Sequence, residues 1–364
     1  MERYFGEKTP KLGFGLMRLP MLGEEIDIEQ TKKMVDMFME AGQTYFDTAY
    51  VYGKDGASEK ATKIALVDRY PRESFTLATK LNAWLRCDSE EEAKQQFYTS
   101  LERTGAGYFD YYLLHALEED NYEKYDGFHL WDFLKELKEK GLVRHVGFSF
   151  HAKPELLDRL LTEHPDMEFV QLQLNYADWE NPDVCSRACY EMARKHGKSV
   201  VVMEPVKGGV LADHAAQALR YAASKDGVLT VLSGMSNLEQ MEQNIATMRD
   251  FAPLTADEEA QLLQSAKEIK AQGPLHTSDF TKYEKIKFHG IPVATILDGY
   301  NACLVQPNPY FAGELNYLPN ELLKLGVTDI KQTSPEESVT LNGEDITPMV
   351  KEAWDWLIAH SFAM

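Results

Sequence analysis

The sequence predicts an α/β protein built on a closed (β/α)8 barrel, the TIM-barrel architecture, followed by a mainly helical and irregular C-terminal extension. Three observations predict it. Eight short β-branched or aromatic runs alternate with longer amphipathic stretches from Leu12 onward, the count of a closed parallel barrel. Several runs are continuously apolar, such as Ser199-Val200-Val201-Val202-Met203, as strands buried on both faces are. No G-x-G-x-x-G follows an early strand, which argues against an open, doubly wound dinucleotide-binding sheet.

In chain order, strands are expected at Leu12–Met17, Thr44–Asp47, Ser74–Lys80, Tyr108–Leu114, Arg144–Ser149, Glu168–Leu174, Ser199–Met203 and Leu229–Leu232. Helices are expected between and after them, at 28–41, 57–69, 89–103, 128–140, 153–163, 181–196, 213–224 and 236–247. The pattern changes at Phe251-Ala252-Pro253-Leu254. Residues 1–250 are therefore assigned to the barrel and 251–364 to an accessory extension. The extension opens with a helix near Ala256–Lys270, continues through a Pro-, Gly- and aromatic-rich region, and ends with short helices near Asn320–Leu325 and Thr347–His360. No internal repeat is expected.

Composition bounds the function. Apolar residues at 44% and charged residues at 26% form an ordinary globular balance, which excludes wholesale disorder. A formal net charge of −20 opposes binding to a nucleic-acid backbone but leaves room for an anionic cofactor held by backbone N–H groups. No apolar run reaches the roughly 18 residues of a membrane span. The N-terminus lacks a secretory layout, and four cysteines make no disulfide framework. A cytoplasmic protein without membrane or nucleic-acid partners is expected; its oligomeric state leaves no mark in the sequence.

Barrel enzymes place their chemistry at the carboxyl ends of the strands. Four polar residues meet that rule: Asp47 after strand two, Tyr52 in the loop beyond it, Lys80 at the end of strand three and His115 at the end of strand four. Each alone suits packing; together they suit carbonyl reduction. Hydride transfer to a carbonyl leaves an alkoxide that needs a proton. A phenol, with an ordinary pKa near 10, gives it more readily beside a Lys ammonium. Asp47 orients that ammonium, and His115 hydrogen-bonds the substrate oxygen.

The segment Phe46-Asp47-Thr48-Ala49-Tyr50-Val51-Tyr52-Gly53 resembles the catalytic signature of the aldo-keto reductase family. Ala78-Thr79-Lys80, Leu113-Leu114-His115 and the opening Gly13-Phe14-Gly15-Leu16-Met17-Arg18-Leu19-Pro20 are similar to further family segments, so that the resemblance spans about residues 10–250. It implies an NAD(P)H-dependent reductase of aldehydes or ketones with Asp47, Tyr52, Lys80 and His115 as its tetrad. It also implies that Ser149 and Gln171 hold the nicotinamide carboxamide. Met203 stands where relatives place a stacking aromatic, and Phe150 where they place Asn. Pro205, Val206, Lys207 and Gly208 resemble the loop around the pyrophosphate, and Ser233, Gly234, Met235 and Ser236 lead into a helix whose free N–H groups favour phosphate. Gln240 and Asn244 match positions near the adenosine. Gly234 and Gln240 cannot form a charged clamp on a 2′-phosphate, so NADP(H) and NAD(H) both stay open.

Ser233–Gln240 is similar to a branch whose members often carry a C-terminal ferredoxin-like iron–sulfur domain. The tail here holds Cys303 as its single cysteine, so no cluster is expected. Cys185 and Cys189 lack partners at zinc spacing, and no metal site is expected. Trp84 and Tyr176 are candidates to line the substrate pocket. Phe288, His289, Tyr300, Tyr310 and Phe311 either fold over the rim as a lid or fill an accessory core within the extension, the second being the favoured expectation. The alternative function is a nicotinamide-binding regulatory or redox-sensing protein with little turnover; a metal-dependent barrel hydrolase lacks convergent His and Asp ligands.

Overall fold

The computed structural model describes residues 3–4, 7–23, 25–85, 87–181, 184–209, 211–249, 251–271, 283, 285–297, 300 and 338–360. Tyr310, Phe311, Cys303 and the helix expected at Asn320–Leu325 lie outside them. The chain divides into two compact units, Met1–Leu263 and Gln264–Met364. Among the described residues no helix is long and apolar enough to cross a membrane.

The first unit is the barrel. Its strands are β1 (Leu12–Gly15), β2 (Tyr45–Asp47), β3 (Thr76–Leu81), β4 (Phe109–Leu117), β5 (Val143–Phe150), β6 (Phe169–Gln173), β7 (Ser199–Met203) and β8 (Val228–Ser233). They pair in parallel in chain order, and β8 closes the ring on β1 through Val231, Leu232 and Ser233 beside Leu12, Gly13 and Phe14. The surrounding helices are α1 (Ile28–Glu40), α2 (Ala57–Thr62, continued as a π-turn at Lys63–Val67), α3 (Glu90–Thr104), α4 (Leu130–Glu139), α5 (Pro154–Glu163), α6 (Ser186–Lys195), α7 (Ala215–Ala223) and α8 (Leu238–Arg249).

Local chemistry sets these boundaries. Asp27 caps α1 by accepting from Gln30 N at 2.9 Å. Ser89 caps α3 by accepting from Glu92 N at 3.2 Å, and Glu92 returns a bond to Asp88 N. Inside the ring, Tyr45, Ala78, Tyr111, Leu113, Phe169, Val201, Leu229 and Leu232 form a packed plug, so the barrel is a core and not a pore. Gly147 is obligatory there: a Cβ would come within 2.4 Å of the Phe169 carbonyl oxygen on the neighbouring strand. At the start of β4, the buried Asp110 carboxylate binds Arg72 at 2.7 Å, Arg144 at 3.1 Å and Leu77 N at 2.9 Å.

Three boundaries depart from expectation. Strand β1 ends at Gly15, where the chain turns into a short 3-10 segment at Leu16–Arg18. Strand β4 runs on to Leu117 through a bulge, its register breaking between Leu114 and Leu117 with Ala116 at φ 55°. The barrel unit also extends past residue 250. Arg220 of α7 binds Glu258 at 2.8 and 3.2 Å and the carbonyls of Ala252 and Pro253, which ties the start of helix α9 (Ala256–Ala271) to this unit.

The second unit contains a repeat that the sequence patterns did not reveal. A hairpin of Lys287–Phe288 with Ile291–Pro292 is followed by a helical turn at 293–297. A second hairpin, Thr340–Leu341 with Glu344–Asp345, is followed by the helix Thr347–His360. Each turn is a positive-φ residue followed by glycine, His289-Gly290 and Asn342-Gly343. Equivalent bonds close the two copies: Val293 N to Ile286 O at 2.8 Å, and Ile346 N to Val339 O at 3.1 Å. Only turn chemistry and apolar phase are shared, which is why residue identities conceal it. Phe288, Ile291, Val293, Ile296, Val350 and Trp354 are among the residues of its core, which also buries Tyr300. His289 packs against the Trp354 ring at 4.8 Å.

Candidate active site

The structure brings Asp47, Tyr52, Lys80 and His115 together at the carboxyl rim. Asp47 closes β2 and Lys80 lies near the end of β3, two strands paired side by side. The Lys80 ammonium, fully buried, lies 2.5 Å from Asp47 Oδ1 and 2.7 Å from the Thr48 carbonyl oxygen. Its third direction points to the Tyr52 hydroxyl at 3.4 Å. The rings of Tyr52 and His115 meet edge to face, 5.5 Å between centroids at 78°.

Local structure aims each group. Tyr52 rides on a loop anchored to β3 by Thr48 N to Ala78 O (2.9 Å) and Tyr50 N to Lys80 O (3.1 Å). Its own carbonyl accepts from Ser58 N at 3.1 Å, where α2 begins. His115 sits at the β4 bulge, the kind of irregularity that re-aims a side chain. Tyr125 donates to the His115 carbonyl and accepts from Ala83 N at 3.2 Å, joining the ends of β3 and β4.

Electrostatics follow from burial. Desolvation opposes the Lys80 ammonium, but Asp47 and Tyr52 together outweigh it, so Lys80 is held charged above its ordinary range. Burial is also the largest influence on Tyr52 and raises its phenol above the ordinary value; Lys80 pulls the other way without prevailing. This corrects the expectation of a net lowering: the protein packed around the half-buried Tyr52 disfavours the charged phenolate more than the ammonium favours it. Burial, then the Lys80 and His151 charges, holds His115 well below its ordinary value, so its imidazole is neutral.

The cofactor candidates line the same rim. Ser149 on β5 and Gln171 on β6 are buried neighbours in register. Ser149 Oγ accepts from Ala116 N at 2.7 Å, and Gln171 Nε2 reaches Met203 Sδ at 3.6 Å. The Gln171 Oε1 atom has no hydrogen-bond partner among the described residues. Pro205 is buried, while Val206, Lys207 and Gly208 are half-buried in a turn where Lys207 and Gly208 take positive φ. Lys207 is tied to the buried Asp178 at 2.6 Å, so its charge is already partnered.

At the start of α8, Met235 is buried and Gly234 exposed. Gln240 turns back to accept from Ser236 N at 2.8 Å and donates its own N–H to Asn237 Oδ1, a capping arrangement. Asn244 binds Ser233 Oγ at 2.9 Å. One cation here escaped the sequence patterns: Arg18 runs alongside Gly234, where a Cβ would lie 3.5 Å from its side chain, and its carbonyl accepts from Ser236 Oγ at 2.8 Å. The strand-end rule, applied to β1, points to it.

Of the two pocket candidates, Trp84 is 41% exposed and lines a cavity of about 320 Å3 with Glu118, Asp120, Asn121 and Lys124. Tyr176 is instead buried, packed edge-on against Tyr221 of α7 at 6.4 Å.

A closed parallel barrel with a carboxylate, an ammonium, a phenol and an imidazole gathered at its carboxyl rim has the layout of a barrel enzyme. The family model described as the aldo/keto reductase family matches residues 11–217. The chain belongs to this family of oxidoreductases. It is similar to a methylglyoxal reductase of Yersinia pestis, 32% identical over 163 residues, covering 44% of this chain and 51% of that protein. It is also similar to an aldo-keto reductase of Mycolicibacterium smegmatis, 27% identical over 214 residues, covering 57% and 72%. The chain thus spans about half the length of the first of these relatives. Among solved structures, the holo form of an aldo-keto reductase of Bacillus halodurans superposes with a TM-score of 0.58 at 25% identity, covering 72% of this chain and 93% of that one. An aldo/keto reductase of Klebsiella pneumoniae in complex with NADP and acetate shares the fold, with a TM-score of 0.56 at 20% identity, covering 71% and 92%.

Proposed function

We propose that the chain interconverts an aldehyde or ketone and the corresponding alcohol by NAD(P)H-dependent hydride transfer, with Tyr52 as general acid and base. The observation that carries this is the Tyr52 hydroxyl set 3.4 Å from a buried ammonium that Asp47 holds at 2.5 Å. Membership of the aldo/keto reductase family supports it independently.

The residues present fit a nicotinamide. The buried, unpartnered Gln171 Oε1 suits an amide N–H donor, and Ser149, which accepts from Ala116 N, retains its own hydroxyl proton to give. Met203 lies beside Gln171 as a thioether surface for a flat ring. The Pro205–Gly208 turn and the Ser233–Ser236 segment that leads into α8 would hold the phosphates. A reduced nicotinamide, when bound, supplies the hydride to the carbonyl carbon.

The chain's own residues handle the proton. Tyr52 donates its hydroxyl proton to the carbonyl oxygen as negative charge gathers there, and Lys80 stabilises the phenolate that results. Asp47 keeps Lys80 protonated and pointed. Neutral His115 offers an N–H to the same oxygen without competing as an acid. In oxidation the phenolate takes the alcohol proton. Trp84, exposed just beyond the end of β3, is the candidate to contact the rest of the substrate.

The test follows the absorbance of reduced nicotinamide with NADH and NADPH separately, against a panel of aldehydes, ketones and alcohols. Turnover with at least one pair is expected. No oxidation or reduction of either cofactor with any compound would sink the proposal.

A further inference from the structure

Beneath the Tyr52 loop lies a buried ion pair that the proposed chemistry does not use. Glu59, on α2, is fully buried. Its Oε1 accepts from Thr79 Oγ1 at 2.8 Å and its Oε2 from Arg103 Nη1 at 3.2 Å. Thr79 directly precedes Lys80 on β3, and Arg103 comes from α3. The pair therefore joins the strand that carries the ammonium to two helices.

Arg103 also grips the Tyr52 loop from below. Its Nη1 donates to the Tyr50 carbonyl oxygen at 3.1 Å, and its guanidinium lies over the Tyr50 ring at 4.4 Å. On the far side of Tyr52 the loop closes over the same guanidinium at Gly56, where a Cβ would stand 2.4 Å from Arg103 Nη1. With φ 71° that position suits glycine on conformational grounds as well. The loop thus wraps Arg103 at two points that bracket Tyr52, and Glu59 fixes where Arg103 sits.

A buried carboxylate is expensive to desolvate, and an apolar pair of the same volume often stabilises a core as well. What the charged pair offers is direction: a planar guanidinium whose N–H groups fix a carbonyl and a carboxylate at once.

We propose that Glu59 and Arg103 are positioning residues that hold the Tyr52 hydroxyl within reach of Lys80, an inference that rests on the reading of Tyr52 as proton donor. Displacing the Tyr50 carbonyl moves the hydroxyl two residues on, and the 3.4 Å spacing has little reserve before contact with the ammonium is lost.

The test uses full-length Glu59→Gln, Arg103→Met and Thr79→Val, with Arg103→Lys as the conservative counterpart and Tyr52→Phe in parallel. The probes are 4-nitrobenzaldehyde with NADPH for turnover, and quenching of tryptophan fluorescence by NADPH for binding. In Glu59→Gln and Arg103→Met, kcat is expected to fall by about 10- to 100-fold, the scale of a misplacement near 1 Å. KM for the aldehyde and the affinity for NADPH are expected to stay near wild type. The alkaline limb of the kcat profile should move, and Arg103→Lys, which keeps the charge and one donor but not the planar fork, should recover part of kcat. If Glu59→Gln or Arg103→Met does not fold, Thr79→Val decides the matter, with a smaller loss of kcat at unchanged KM expected. Unchanged kcat in these variants, or losses that follow NADPH affinity and are not relieved by Arg103→Lys, would overturn the positioning role alone. Wild-type turnover by Tyr52→Phe would overturn the donor assignment, and the positioning role with it.

Discussion

The Lys80 ammonium touches Asp47 Oδ1 at 2.5 Å and the Tyr52 hydroxyl at 3.4 Å, so it belongs firmly to the carboxylate and reaches the phenol at the limit of a hydrogen bond. This asymmetry makes Lys80 an electrostatic support for Tyr52 and leaves the proton on the phenol in the resting site.

Replacing Lys80 by Met should separate the two contacts. It leaves the buried Asp47 carboxylate without a counterion, and removing one partner of a buried pair costs about 3–5 kcal/mol. Urea unfolding of Lys80→Met should show a loss on that scale, with turnover reduced by at least about 10² because Tyr52, the proposed donor, has lost its stabilising charge. Wild-type stability in this variant would show that Asp47 is neutral or rehydrated.

The pH dependence follows from two of the shifted groups, Tyr52 and His115. Burial raises the Tyr52 phenol, so it stays protonated through neutral pH, and with Tyr52 as the proposed donor reductive turnover should decline only as pH rises past a phenol's ordinary range. Tyr52→Phe should lack that alkaline limb in its residual rate. Burial holds His115 far below its ordinary value, so its unfolded form binds a proton more readily than its folded form. The sign is fixed: that contribution to stability is present above about pH 6.5 and is lost as pH falls. Thermal unfolding should therefore show a steeper acid loss for wild type than for His115→Gln.

Gln171 provides a check on cofactor placement. Gln171→Leu removes the buried amide and should weaken nicotinamide dinucleotide binding by about 2- to 10-fold, the worth of one hydrogen bond of roughly 0.5–1.5 kcal/mol. Tryptophan quenching by NADPH and NADH measures it. Unaltered affinity for both would remove Gln171 from the site.

Asp110 lies away from the chemistry, at the start of β4, and binds two arginines and a backbone N–H. Asp110→Ala should cost about 3–5 kcal/mol in urea unfolding while leaving kcat of the folded enzyme near wild type. A loss of kcat without a loss of stability would contradict this division between the two ends of the barrel.

Much of this was legible in the sequence because burial on both faces writes strands as continuous apolar runs, and because strand ends mark the rim where Asp47, Lys80 and His115 stand. What escaped depended on partners distant in sequence. Arg103 looks like any charge on an amphipathic helix until Glu59 and the Tyr50 carbonyl close around it. The β4 bulge turns on Ala116, a residue with no intrinsic signal for positive φ. The hairpin pair of the second unit shares His-Gly and Asn-Gly turns that gain meaning only once the flanking strands are seen to pair. The net effect on Tyr52 needed the packing around its ring, which no spacing reports.

The most direct measurement is single-turnover oxidation of NADPH by wild type and by Tyr52→Phe, followed with NADPH affinity in the same samples. A fall of at least about 10² in the rate, with affinity unchanged, is the expected result. A phenylalanine variant that turns over at the wild-type rate would contradict the assignment of the proton to Tyr52.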